Sequence, residues 1–259
     1  MICSLLAKTT GKILVNGYDM DTEDEKVRGC LGIVFQNNVL DELLTVKENL
    51  EVRARFHGLY GKALNNRLKE LQQTFEIDDI WNRPFGKLSG GQKRKCEIAQ
   101  AVLHRPKILI LDEPTTGLDP QTRTAIWKLI RDMQSDYGMT VFLTTHYMEE
   151  AASADHVVIL EKGSIQAEGT PDFLKSRYGK DTLKLWFEHL DEGMQKLKAM
   201  GYVPKLKTDY VSISVENSRE ALRVLSHIKD FQDFELIKGT MDDVFLAVTE
   251  HMEVETCGR

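Results

Sequence analysis

The sequence predicts an α/β fold: a mostly parallel sheet with helices between its strands, followed by a small appended α+β domain. Three observations carry that expectation. Short strand-like runs alternate with helix-period segments from residue 107 to 160. The run Ile108-Leu109-Ile110-Leu111 is continuously apolar, as a strand buried on both faces requires, and it leads directly into Asp112-Glu113. The composition shifts after about residue 178, where three small β-α steps replace the longer alternation.

Taken in order, Ile13-Leu14-Val15 is a short strand closed by Asn16-Gly17, a turn dipeptide. Residues 31–35 form a second strand, followed at once by Gln36. The chain then turns helical from 44 to 75. Thr45-Val46-Lys47-Glu48 has the spacing of a capping box, and Leu64, Leu68, Leu71 and Phe75 repeat at helical period within 63–75. A helix is expected over 93–104, stopped by Arg105-Pro106, then a strand over 107–111. A helix over 121–136, a strand over 139–144, a short helix over 147–154 and a strand over 156–160 follow. Lys162-Gly163 turns the chain into 164–168. Beyond 178 the pattern gives strands at 183–187, 210–215 and 234–237 and helices at 190–200, 218–228 and 241–248, with a frayed tail from Glu250.

At 259 residues the chain is long enough for one large domain and an appendage. Its 42% hydrophobic and 29% charged residues are those of an ordinary globular protein. The net charge of -6 argues against nucleic acid as a partner. Cys3, Cys30, Cys96 and Cys257 show no metal-ligand spacing and read as idle thiols of a reducing cytosol. No apolar run approaches the roughly 18 residues of a membrane span. The start of the chain does not read as a signal peptide. Membrane contact is therefore expected to run through a partner.

Asp112 and Glu113 stand at a strand's carboxyl end, where open α/β sheets bind ligands. An aspartate there can hold Mg²⁺, and a second carboxylate can polarise an attacking water. Ser89-Gly90-Gly91-Gln92 opens a helix. Two glycines let the backbone approach a phosphate, the helix N-terminus supplies free N–H donors, and Ser89 adds a hydroxyl. His146 ends a strand and can contact a γ-phosphate and orient water. Gly117-Leu118-Asp119-Pro120 closely follows the strand end at Asp112-Glu113 and by itself reads as a capping turn. Gln36 can offer an amide oxygen to Mg²⁺, although a lone glutamine after a strand says little.

Together these elements resemble the nucleotide-binding domain of ABC transporters. Gln36 matches the Q-loop, Leu88-Ser89-Gly90-Gly91-Gln92 the signature, and Ile108 to Glu113 the Walker B region. Gly117-Leu118-Asp119 matches the D-loop and His146 the switch histidine. The resemblance covers about residues 1–172. Tyr147-Met148-Glu149-Glu150-Ala151, Glu168-Gly169-Thr170-Pro171 and Asp242-Asp243-Val244-Phe245-Leu246 narrow it to the multidrug and daunorubicin-resistance exporters. It implies an ABC ATPase domain over 1–178, with a helical subdomain over about 42–100, and an accessory domain over 179–259. It implies ATP and Mg²⁺ as ligands. Glu113 and His146 would be catalytic, Asp112 and Gln36 would hold the metal, and Gln36, Ser89, Gly90, Gly91, Gln92 and Asp119 would bind ATP. The implied partners are membrane-spanning permease subunits and a second nucleotide-binding subunit in a head-to-tail dimer. The implied location is cytoplasmic, on the inner face of the cell membrane.

One departure qualifies this. The 259 residues contain no G-x-x-x-x-G-K-[ST] phosphate loop, and Lys8-Thr9-Thr10-Gly11-Lys12 reads as the turn after a helix whose tail is 1–6. The loop and its strand are expected upstream of Met1. Losing several charge-assisted hydrogen bonds, roughly 1.5–3 kcal/mol each, removes on the order of 6 kcal/mol, or about 10⁴-fold in affinity. The sequence thus leaves two functions open: an exporter ATPase, or an inactive remnant serving as a dimer partner or regulatory binder. A soluble cassette acting on DNA or ribosomes is disfavoured by the acidic balance and the lack of a second cassette.

Overall fold

The computed structural model describes residue 2 and residues 6–256, with side chains through residue 249. The expected helix tail at 1–6 falls mostly outside those residues. The chain forms two compact units, one up to His146 and one from Tyr147 onward.

The first unit opens on a hairpin of β1 (Leu14–Val15) and β2 (Tyr18–Asp19). Asn16 and Gly17 both take positive φ, 50° and 83°, the two-residue turn whose twist matches an antiparallel pair. Helix α1 (Asp24–Cys30) follows, unforeseen because its single buried residue, Val27, gives no periodic pattern. Strand β3 (Leu31–Val34) leads to α2 (Val46–Phe56) and α3 (Gly61–Thr74), and the capping box of Thr45 and Glu48 is formed. Then come α4 (Gly90–Ala101), β4 (Ile108–Asp112), α5 (Pro120–Tyr137) and β5 (Thr140–Thr144).

Strands β3, β4 and β5 form a three-stranded parallel sheet with β4 in the middle. Val34 stands opposite Leu111, and Asp112 opposite Thr144. The core packs Leu50, Leu71, Phe75 and Phe85 of the helical segment with Ile98 of α4, Leu109 and Leu111 of β4 and Ile126 and Ile130 of α5, all essentially without exposure. Each such side chain contributes roughly 1.5–3 kcal/mol of burial. Helix α4 lies directly on β3: a Cβ at Gly32 would stand 2.3 Å from the Ala101 carbonyl, so only glycine fits.

The second unit has two cores. One joins α6 (Met148–Ala151), β6 (Val157–Glu161), β7 (Ser164–Gly169) and α7 (Pro171–Tyr178). The other is built on β8 (Asp181–Phe187), α8 (Leu190–Ala199), β9 (Lys205–Leu206), β10 (Val211–Val215), α9 (Ser218–His227) and β11 (Phe231–Ile237). Its strands run in the order β11-β8-β10-β9, all antiparallel, which is the split β-α-β arrangement. The last helix, α10 (Met241–Thr256), adds Met241, Val244 and Val248 to the first of these cores.

Two expectations are corrected. The strand read at 156–160 does not join the parallel sheet but pairs antiparallel with β7. Lys162 and Gly163, at φ 49° and 82°, form the same turn type as Asn16-Gly17, and such a turn allows only an antiparallel return. The frayed tail expected from Glu250 is instead helix, since α10 continues to Thr256.

Candidate functional site

Because β3, β4 and β5 are parallel and in register, their carboxyl ends lie along one edge. Gln36 follows β3 closely, Asp112 and Glu113 end β4, and His146 follows β5. The sheet thus gathers four of the singled-out residues at the position where such folds bind ligands.

Their side chains meet on Glu113. Gln36 Nε2 donates to Glu113 Oε2 at 3.1 Å, and Thr116 Oγ1 donates to the same oxygen at 3.0 Å. The other oxygen stands 3.4 Å from His146 Nδ1. Glu113 itself sits at φ 43°, a left-handed backbone that costs a non-glycine residue about 1–3 kcal/mol and that clusters at functional sites. The backbone is held there from two sides. Glu113 N–H donates to the Thr144 carbonyl and hydroxyl, both at 3.2 Å, while Thr144 Oγ1 donates to Asp112 Oδ1 at 2.6 Å.

The third support is Arg94, buried beneath the site on α4. Its Nε donates to the Pro114 carbonyl at 2.6 Å, and its Nη2 to those of Asp112 and Glu113, each at 3.0 Å. Nη1 reaches the Phe35 carbonyl at 2.7 Å and Glu97 Oε2 at 3.2 Å. Burial pushes the Glu97 carboxyl up and pulls the Arg94 guanidinium down, each against the attraction of the other. Neither residue stands out in the sequence. The signal was there as an Arg–Glu pair at i, i+3, on a helix face that also carries Ile98 and Ala101.

The signature residues form a second cluster. Ser89 caps α4: its Oγ accepts from Gln92 N at 3.3 Å, and Gln92 Oε1 accepts from Ser89 N at 3.1 Å. The Ser89 hydroxyl keeps its proton for a further acceptor. A Cβ at Gly91 would stand 2.4 Å from Thr122 Cγ2, so that glycine is required by packing against α5. Asp119 caps α5, accepting from Thr122 N at 2.9 Å, and the Thr122 hydroxyl and amide hold its carboxyl below the usual range. Its carboxylate is thus engaged in the turn. The link from this cluster to Glu113 is Arg94, on the helix that Ser89 caps.

The donor set fits a hard divalent cation. Asp112, Glu113 and the Gln36 amide offer oxygen, and Mg²⁺ bound with a nucleotide takes one or two carboxylates, leaving the rest to phosphate and water. Among the described residues no group of three or more His, Cys, Asp or Glu could hold a metal alone. Cys30 and Cys96 are free thiols, the latter buried with its pKa pushed up to about 12. Among the described residues no helix is long and apolar enough to cross a membrane.

Comparison with known proteins adds four findings. The model of the ABC transporter family matches residues 1–116. The daunorubicin/doxorubicin resistance ATP-binding protein DrrA of Streptomyces peucetius is 34% identical over 262 residues, covering 97% of this chain and 79% of that protein. Among solved structures, cbiO1 from Clostridium perfringens, part of an ABC transporter complex, superposes with a TM-score of 0.62 at 28% identity, over 77% of this chain and 78% of that one. The ATP-binding cassette MJ0796, dimeric and bound to ADP and Pi, gives a TM-score of 0.56 at 29% identity, over 62% of this chain and 74% of that one.

Proposed function

The chain belongs to the ATP-binding proteins of ABC transporters, and from that premise we propose how its residues act. It is an ATP-binding subunit of the drug-exporter type. The observation that carries the mechanism is the meeting of Gln36, Thr116 and His146 on the carboxylate of Glu113. A carboxylate so held accepts the proton of an attacking water. His146 orients that water and contacts the γ-phosphate, and Asp112 with Gln36 would hold Mg²⁺. Mg²⁺, when bound, neutralises charge on the phosphate oxygens. Ser89, Gly90, Gly91 and Gln92 present N–H and hydroxyl donors to the nucleotide of a second subunit, with Asp119 beside them. The partners are that second subunit and the membrane-spanning permease, which places the protein on the inner face of the membrane. The substrate is a drug or similar small molecule carried by the permease. The net charge of -6 speaks against nucleic acid.

A second reading is that this chain completes, through Ser89, Gly90, Gly91 and Gln92, the site of another cassette. One experiment separates the two. ATP turnover is measured for the chain alone and for the chain mixed with a cassette that carries the loop. Turnover by the chain alone, abolished by Glu113→Gln while ATP binding persists, supports the ATPase. Retention of the full rate by Glu113→Gln sinks the assigned role. Turnover only in the mixture, lowered by Ser89→Ala, supports the partner reading.

A further inference from the structure

Arg94 has five N–H donors and every one is engaged: four main-chain carbonyls and Glu97 take them. Three of the carbonyls belong to consecutive residues, Asp112, Glu113 and Pro114, across the left-handed step at Glu113. The fourth belongs to Phe35, the residue before Gln36. Glu97, one turn along, holds the far side of the same loop: its Oε1 accepts from Val39 N at 3.0 Å. The buried pair therefore fixes the main chain on both sides of Gln36 and the main chain that carries Glu113. Both residues stand on α4, whose first turn begins at Ser89.

We propose that Arg94, with Glu97, is a positioning residue. It sets the Gln36 and Glu113 backbones relative to one another and ties both to the helix that presents the signature. A guanidinium suits this task because its planar fork directs several donors at once, whereas an ammonium is a point charge with three. The inference rests on the ATPase reading only for its kinetic consequence. A nucleotide drawn onto the signature end of α4 shifts one rigid helix, and Arg94 carries that shift to Glu113 in the same chain.

Removing either charge outright leaves the other buried and unpaired, so conservative variants are the test. The full chain is prepared as wild type, Arg94→Lys and Glu97→Gln. Each is followed by amide hydrogen exchange and by ATP turnover. In Arg94→Lys, exchange is expected to rise about tenfold at both 36–39 and 112–116 and to stay unchanged in 46–74. The expected kinetics are a fall in kcat of tenfold or more, with KM for ATP within twofold of wild type. Glu97→Gln is expected to act in the same direction but more weakly, and it decides the matter if Arg94→Lys fails to fold. Loosening of only one segment, or of neither, overturns the proposal, as does an unchanged kcat. If wild type shows no turnover, it is the ATPase reading that fails, and joint loosening of the two segments alone then decides the role of Arg94.

Discussion

His104 shows how a residue outside the site sets a pH limit. Its Nε2 stands 3.0 Å from the Leu31 carbonyl, and its ring stacks on His57 with centroids 4.1 Å apart. Burial, reinforced by the neighbouring imidazole, pulls its pKa down to about 4 from 6.5. The unfolded chain therefore binds a proton that the folded chain refuses between those values. Stability is lost as pH falls through 6.5 toward 4, by on the order of 3 kcal/mol in full. Urea titrations at pH 7.5 and 5 should show this loss in wild type, and His104→Phe, which keeps the stack, should flatten it. Glu97, raised by burial, works in the opposite sense, since acid relieves its buried charge. At the functional residues, much was legible. Gln36, Asp112, Glu113 and His146 were named from their motifs and the family those motifs resemble, and in the structure they stand together. Arg94 and Glu97 were not, because a buried ion pair on a helix reads in sequence as one more solvated charge pair.

At the scale of elements, the two capping boxes offer a controlled comparison. Thr45 and Ser89 cap α2 and α4 with the same reciprocal bonds. Alanine at either position should cost about 0.5–2 kcal/mol in urea unfolding. If Ser89 also serves the nucleotide, only Ser89→Ala should lower the rate of a mixed dimer, while Thr45→Ala should match it in stability alone. Equal effects of both on rate would reduce Ser89 to a cap. The helix starts were readable because Ser, Thr and their partners three residues on act locally. Helix α1 and strand β9 were not: α1 buries only Val27 and β9 is two residues long, too little for a period to show.

At the scale of the molecule, the four-stranded sheet of the second unit rests on a core of its own, with Leu185 of β8 fully buried at its centre. Leu185→Ala should destabilise that sheet by about 2–5 kcal/mol, seen as faster amide exchange in β8 and β10. Protection retained there would mean that the core lies elsewhere. The sequence by itself determined the α/β class, most strands and helices, the family and the four residues at the sheet's edge. Period, turn chemistry and motif spacing are local and survive in one dimension. The tertiary structure alone decided which strands pair. The two left-handed residues at Lys162-Gly163 send β6 back on β7 instead of into the parallel sheet. It alone also showed that one guanidinium beneath the site holds two separate segments, at Phe35 and at 112–114. The β6–β7 turn is local, but the partners of Arg94 lie far apart in the chain, and no local pattern encodes them.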